Sequence, residues 1–371
     1  MSNLKIRMRS YTKETALGKF LRRKRYNLKL GNRDAAIAAV KIYAPELLNK
    51  PNAEDLIEDM IRMSKKFRYG YDEYFLYHFA EKNDAERLEF VADLDRIDIV
   101  ESLNKAKNQS LFDDKSLTYQ KYKKFYFREL QVVDGSLADF IKLKEFLIEN
   151  KRIILKPADS SCGKGVKILD INKLADIDVA VKAALKDNSR GLIAEELIIQ
   201  DSRMAKLHPQ SVNTVRITTL RMNDRVEILH PFLRIGRGES IVDNGGAGGI
   251  FGTIDIDTGM VLHSKNELGQ EFTIHPDTKE PIIGFCIPEW EQAKKLAVEL
   301  AMVTPSNRYS GWDLALTEKG WIMVEGNARG QFVGWQITTG VGFKKEICNL
   351  LMEISSKKYT KIVSRLMEGC K

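Results

Sequence analysis

The chain has 371 residues, 43% of them hydrophobic and 30% charged, the balance of a folded globular protein with one large core or two to three smaller ones. No stretch reaches the roughly 18 uninterrupted apolar residues of a membrane span, and no apolar run follows the charged N-terminus as a secretory signal requires, which predicts a cytoplasmic protein. The net charge of +8 is unevenly spread, because residues 1–30 carry ten basic side chains against one acid, Glu14, and leave the rest close to neutral.

That basic segment reads either as a solvated helix face or as an arm drawn to an anionic membrane surface or an acidic glycan, at the inner face of the membrane. No aromatic RNA-binding motif, zinc finger or recognition helix speaks for nucleic acid. Residues 34–110 read as helices. Asp34 is placed to cap a segment running to Tyr43, and Asn52 or Asp55 to start a second with Leu56, Met60 and Met63 on one face. The aromatic run from Phe67 to Phe79 reads as core between helices. A short mixed strand follows at 125–133 and a helix at 136–149. Strands are predicted at 152–156, 166–169, 192–196, 212–222, 225–235 and 249–255, with a helix at about 173–187 between the second and third. A helix at 289–302, a hairpin at 311–317 and 321–325, and a helix at 343–356 complete the chain. Neither internal repeat nor low-complexity linker interrupts it. A helical start before a strand-rich mixed body predicts an α/β (α+β) class.

Several of these segments carry chemistry. Strand 152–156 ends in Lys156 and opens into a loop holding Ser160, Ser161, Gly163, Lys164 and Gly165. Backbone N–H groups of such a loop can approach phosphate oxygens while Lys164 adds charge, although the loop is neither a Walker A sequence nor GxGxxG and reads equally as an ordinary turn. Cys162 has no histidine near it in sequence, the four cysteines form no CxxC pair, and the five histidines show no metal-binding spacing. Glu195 and Glu196 at a strand end read as a surface charge pair or as acceptors for an adenine amino group and a ribose hydroxyl. Arg216 interrupts an apolar strand and so calls for an anionic partner, a structural carboxylate or a transferred phosphate. Asn213, Arg234 and Arg237 lie nearby in sequence, and residues 244–249 form a glycine-rich stretch that reads as an acceptor-side wall or as a flexible loop.

The most informative stretch is the hairpin. A three-residue loop, Glu318-Lys319-Gly320, sets Thr317 opposite Trp321 and therefore Asp313 opposite Glu325, with Asn327 on the face of Glu325. Two carboxylates directly opposed repel each other, and a cation between them removes that cost. Oxygen ligands from Asp, Glu and Asn suit a hard ion such as Mg2+ shared with nucleotide phosphates; a solvent-facing pair on an edge strand is the other reading. A slip of one residue in register would undo the opposition.

In this order the pieces resemble the ATP-grasp superfamily, and more closely its sugar-transfer-associated family, found with capsule and cell-surface glycan genes. The resemblance is carried by residues 69–77, Asp114-Lys115, Ile154-Leu155-Lys156-Pro157, 211–217, Val242-Asp243-Asn244 with Gly248-Gly249, Trp312-Asp313 and Glu325-Gly326-Asn327. It spans roughly residues 67–340 and implies a two-lobed nucleotide clamp with a helical N-terminal region. The divisions expected are a basic arm and helices at 1–110, a small lobe with the phosphate loop at 111–200, and a catalytic lobe at 201–371. The family implies ATP and Mg2+ as cofactors. Lys115 and Lys156 resemble its phosphate lysines, and Ser160 to Gly165 its phosphate lid. Glu195, Glu196 and Ile198 resemble its adenine linker, and Asp201 a ribose contact. Asp313, Glu325 and Asn327 resemble its metal ligands, and Arg216 and Arg234, with Lys156, its catalytic groups at the transferred phosphate. In the D-alanine–D-alanine ligase branch an arginine stands two residues before the metal aspartate, where this chain has Gly311.

The activity so implied is ligation of a carboxylate to an amine through an acyl phosphate, on small-molecule or glycan-linked substrates in capsule and surface polysaccharide biosynthesis. No protein nucleophile is required, in keeping with the missing Cys–His and Ser–His arrangements. A kinase built on the same nucleotide site and a non-catalytic nucleotide- or glycan-binding module are the alternatives.

Overall fold

The strands pair into two antiparallel sheets, each with one face on helices; the opposite faces of both line a common cavity, with the helix Val333–Thr339 covering part of the larger one. The computed structural model describes residues 30–133, 136–157, 165–186, 191–243, 248–331 and 333–368. The smaller sheet joins β1 (Leu130–Val133), β2 (Arg152–Pro157), β3 (Lys167–Asp170) and β4 (Leu192–Glu196) in the order β1-β4-β2-β3. On β2, Ile153 and Leu155 pack with Leu192 and Ala194 of β4 against the helices Leu137–Asn150 and Ile177–Lys186. The intervening Ile154 and Lys156 therefore turn to the other side, beside Glu195, which pairs directly with Ile154.

The larger sheet contains β5 (Thr214–Arg221), β6 (Val226–Ile235), β7 (Ile250–Ile254), β8 (Val261–Asn266), β9 (Tyr309–Thr317) and β10 (Gly320–Asn327), in the order β10-β9-β5-β6-β7-β8. Val215, Ile217, Leu233, Ile235, Leu314 and Leu316 bury one face under the helix Trp290–Val303, which contributes Ala293, Ala297 and Leu300. Alternation then sends Thr214, Arg216, Arg234 and Asp313 to the cleft.

The N-terminal helices Arg33–Tyr43, Ala53–Phe67 and Tyr71–Leu76 share a core with the aromatic run, in which Tyr69, Tyr77 and Phe79 are fully buried. Tyr69 donates from its hydroxyl to the carbonyls of Arg87 and Phe90, both at 2.7 Å. The first helix is capped by Asn32 rather than Asp34: its side-chain oxygen accepts from the Ala35 N–H at 2.9 Å, and Asp34 lies in the first turn. The mixed strand expected over 125–133 shrinks to β1, and the helix expected from 173 begins at Ile177 after a short 3-10 turn. The closing helix runs from Lys344 to Met367, well past the expected end, with non-helical dihedrals at Ser355 marking a kink.

β8 escaped the sequence pattern for a physical reason. Its core-facing positions include Ser264 and Asn266, both buried, whose polar groups bond back to a following turn: Ser264 to the Phe272 carbonyl, and Asn266 from the N–H groups of Leu268 and Gln270. No helix among the described residues is long and apolar enough to cross a membrane.

Candidate active site

Strand pairing lays three charged side chains in one row across the larger sheet. Arg216 of β5 sits opposite Asp313 of β9, and Asp313 sits opposite Glu325 of β10. Asp313 is buried, and Arg216 grips it bidentately with one edge of its guanidinium: Nε donates to Oδ1, and Nη2 to Oδ2 at 2.8 Å. Arg234, one row along on β6, donates from Nη1 to the same Oδ2 at 3.0 Å and reaches Asp243 at 3.3 Å. Asp243 is held in turn by the N–H and hydroxyl of Thr214. Burial alone would raise the Asp313 pKa, but the two arginines outweigh it and hold the carboxyl below its ordinary range.

The expected opposition of Asp313 and Glu325 is present, but by a different route. Thr317 pairs with Gly320, not Trp321, so the turn is one residue tighter than expected. A bulge between Met323 and Glu325 inserts Val324 and restores the pairing. Gly320 at the turn has φ +97°, which explains the glycine. Glu325 is partly exposed, and Lys115 approaches its Oε1 at 3.3 Å. Lys115 is the first residue of the helix Lys115–Tyr122, whose N-cap Asp114 accepts from the N–H groups of Ser116 and Leu117. Asn327 pairs with Gly311 on the same face as Glu325.

Across the cleft, Glu195 is buried between two cations. Lys156 Nζ reaches its Oε2 at 3.2 Å, and Arg128 donates to that oxygen from Nη2 at 2.9 Å and Nε at 3.1 Å. Burial pushes this carboxyl up, but Lys156 and Arg128 pull it down to about 2. The surface-pair reading thus fails for Glu195, and its Oε2 is already committed to lysine and arginine. Glu196, Leu197, Ile198, Ile199 and Gln200 continue along the wall of a cavity of about 740 Å³, which Lys115, Lys156, Arg216, Arg234, Asp313, Glu325 and Asn327 also line.

Asp201 is not brought to that wall. It caps a short helix through the Arg203 N–H at 2.8 Å, and the Arg203 guanidinium bridges it to Glu289. Ser160, Ser161, Gly163 and Lys164 lie outside the described residues, as do the basic segment up to residue 29 and residues 244–247. Gly165 is described; a Cβ there would meet Pro157 Cγ at 2.9 Å, and its φ of +75° also favours glycine. Asn213 proves structural: its buried amide donates to Gln200 and to the carbonyls of Met204 and His208.

Gly311 explains the missing arginine. A Cβ at this position would lie 3.2 Å from Gly330 Cα and 3.3 Å from Arg216 Cδ, so the backbone of 330 and the stem of Arg216 fill that space. Arg128 and Asp243 belong to the site and are not singled out as site residues in the sequence. Asp243 had a signal, since it stands within one of the motifs that carry the resemblance. Arg128 had none.

A sequence model of the family described as sugar-transfer associated ATP-grasp matches residues 95–351. No curated protein matches the chain significantly. Among solved structures, D-alanyl-alanine synthetase A from Vibrio cholerae is 12% identical, with 71% of this chain and 68% of that one covered and a TM-score of 0.40. D-alanine–D-alanine ligase from Helicobacter pylori is 12% identical over 68% of this chain and 61% of its own, with a TM-score of 0.41. The ATP-grasp ligase PsnB, solved with minimal precursor, Mg and ADP, is 14% identical over 67% and 61%, with a TM-score of 0.40. The chain therefore spans about three fifths of the length of the last two.

Proposed function

The chain belongs to the sugar-transfer-associated ATP-grasp family, and from that premise we propose that it is an ATP-dependent ligase joining a carboxylate to an amine. The observation that carries this reading is the row Arg216–Asp313–Glu325, flanked by Arg234 and Lys115 and facing Lys156 across one cavity. The cavity volume suits a nucleotide with a small acceptor.

The donor set fits a hard divalent ion. Asp313 is held ionised, Glu325 lies opposite, and the Asn327 carboxamide shares their face. Asp313 Oδ1 accepts from Arg216 Nε and keeps a second lone pair for a ligand. Among the described residues no group of three or more His, Cys, Asp or Glu is placed to hold a metal alone, and nucleotide phosphates and water would complete the shell of a Mg2+ ion here. Bound there, Mg2+ would neutralise phosphate charge and polarise the transferred group.

The remaining roles fall to the chain's own side chains. Lys156 and Lys115 bind phosphate oxygens, and Glu196 and the backbone of Ile198 border the base. Arg216 and Arg234 stabilise the charge that develops as the acid's carboxylate takes the terminal phosphoryl group of ATP. An amine then displaces phosphate from the acyl phosphate, giving amide, ADP and inorganic phosphate. The family's association with sugar transfer favours a uronic acid or amino acid in surface-glycan (capsule) assembly as the acid component.

The test is incubation with Mg-ATP and pooled sugar acids, sugar nucleotides and amino acids, followed by mass spectrometry. A condensation product, with phosphate released only when acid and amine are both present, is expected. A phosphorylated product without free phosphate would mark a kinase instead.

A further inference from the structure

We propose that Arg128 is a positioning residue that locks the metal-binding carboxylates and the phosphate-binding lysine into one geometry across the two sheets, an inference that rests on the nucleotide reading above. Arg128 lies just before β1 and is buried. All five of its N–H groups are used. Nε and Nη2 hold Glu195 Oε2, the same oxygen that holds Lys156. Nη1 donates to the Met323 carbonyl at 2.8 Å and the Tyr126 carbonyl at 3.4 Å, and Nη2 donates also to the Val324 carbonyl at 3.1 Å.

Met323 and Val324 are the residues of the β10 bulge. An unbulged β10 would set Val324 opposite Asp313 and Glu325 opposite Trp312, turning the Glu325 carboxylate toward the helix-covered face. A bulge leaves backbone groups without ladder partners, and a buried unpaired carbonyl is costly. Arg128 supplies the donors. It therefore makes the bulge affordable in a buried setting and, through it, places Glu325 opposite Asp313. The same guanidinium fixes Glu195 and with it Lys156, so one planar fork sets the spacing between phosphate lysine and metal site. A lysine, with a point charge and no fork, cannot span these partners.

The experiment compares wild type with Arg128→Lys by titrating Mg2+ against a fluorescent methylanthraniloyl-ADP, with the same titration run without metal. Loss of charge-assisted bonds at the bulge is expected to raise the Mg2+ midpoint about tenfold or more, with the affinity for metal-free ADP changing much less because Lys156 keeps its own contact with Glu195. Where Arg128→Lys fails to fold by thermal melting, Arg128→Gln, which leaves Glu195 its ion pair with Lys156, is read the same way. An unchanged Mg2+ midpoint in a folded variant overturns the proposal. So does an equal loss with and without metal, which is what general loosening of the fold would give. Wild type that binds no ADP at any Mg2+ concentration would instead defeat the nucleotide reading itself, and this proposal with it.

Discussion

Two clusters of buried charge, similar in makeup, are put to different ends. In one, none of whose residues lines the cavity, Arg68 and Arg365 share Asp95 and Asp98 at 2.7–3.2 Å, tying the helix Asp93–Leu103 to the closing helix. In the cleft, Asp313 and Glu195 each take two cations of their own. The carboxyls respond in opposite directions. Burial raises Asp95 above its ordinary range in spite of its arginines, whereas the arginines and lysine of the cleft overcome burial and lower Asp313 and Glu195. A closed, balanced cluster fastens two helices together. A cluster that opens on a cavity and pairs each of these carboxylates with two cations keeps them ionised and presents positive charge to the cavity.

Removing the carboxylate at the centre of the cleft cluster should have the largest effect. Asp313→Asn is expected to lower the ligation rate about 10³-fold, read from initial rates at saturating Mg-ATP. Arg216→Met comes next, with a loss of about 10²-fold in kcat at saturating Mg-ATP, because it strips Asp313 of its bidentate partner and removes a positive charge from the cavity. In the remote cluster, Asp98→Asn should cost about 2 kcal/mol of stability by chemical denaturation, with kcat and KM unchanged. A fall in kcat there would erase the distinction between the clusters.

The smallest and most discriminating effect is the pH dependence. The folded-state pKa of Glu195, about 2, lies below its ordinary 4.5, so its stabilisation is complete above pH 4.5 and fades as pH falls toward 2. Asp95 is raised from 3.8, so its contribution is complete below that value and is lost as pH rises through the folded pKa. Melting curves should show the gap between wild type and Glu195→Gln widening as pH rises from 2 to 4.5. The gap for Asp95→Asn should narrow as pH rises. Parallel gaps would mean that the two clusters do not differ.

Much of the cleft was legible because strand periodicity and the spacing of polar interruptions are properties of the sequence itself. Arg216 in an apolar strand announced an anionic partner, and its partner is Asp313. The hairpin was legible in its outcome and not in its path: the turn is one residue tighter and the bulge one residue longer, and the two departures cancel. A bulge is set by what satisfies its carbonyls, and Arg128, 195 residues away from Met323 in sequence, leaves no local trace. β8 was hidden because buried Ser264 and Asn266 answer to a turn that follows them. Asp201 was ambiguous because an aspartate after a strand end serves a helix cap as readily as a ribose, and here it caps a helix.

The central claim is that a divalent ion sits among Asp313, Glu325 and Asn327 with the nucleotide phosphates. Crystals grown with Mn2+ and ADP should show an anomalous peak about 2.2 Å from oxygens of these three side chains and from a phosphate oxygen. Nucleotide bound in the cavity with the peak elsewhere, or with no peak beside these residues, would contradict it.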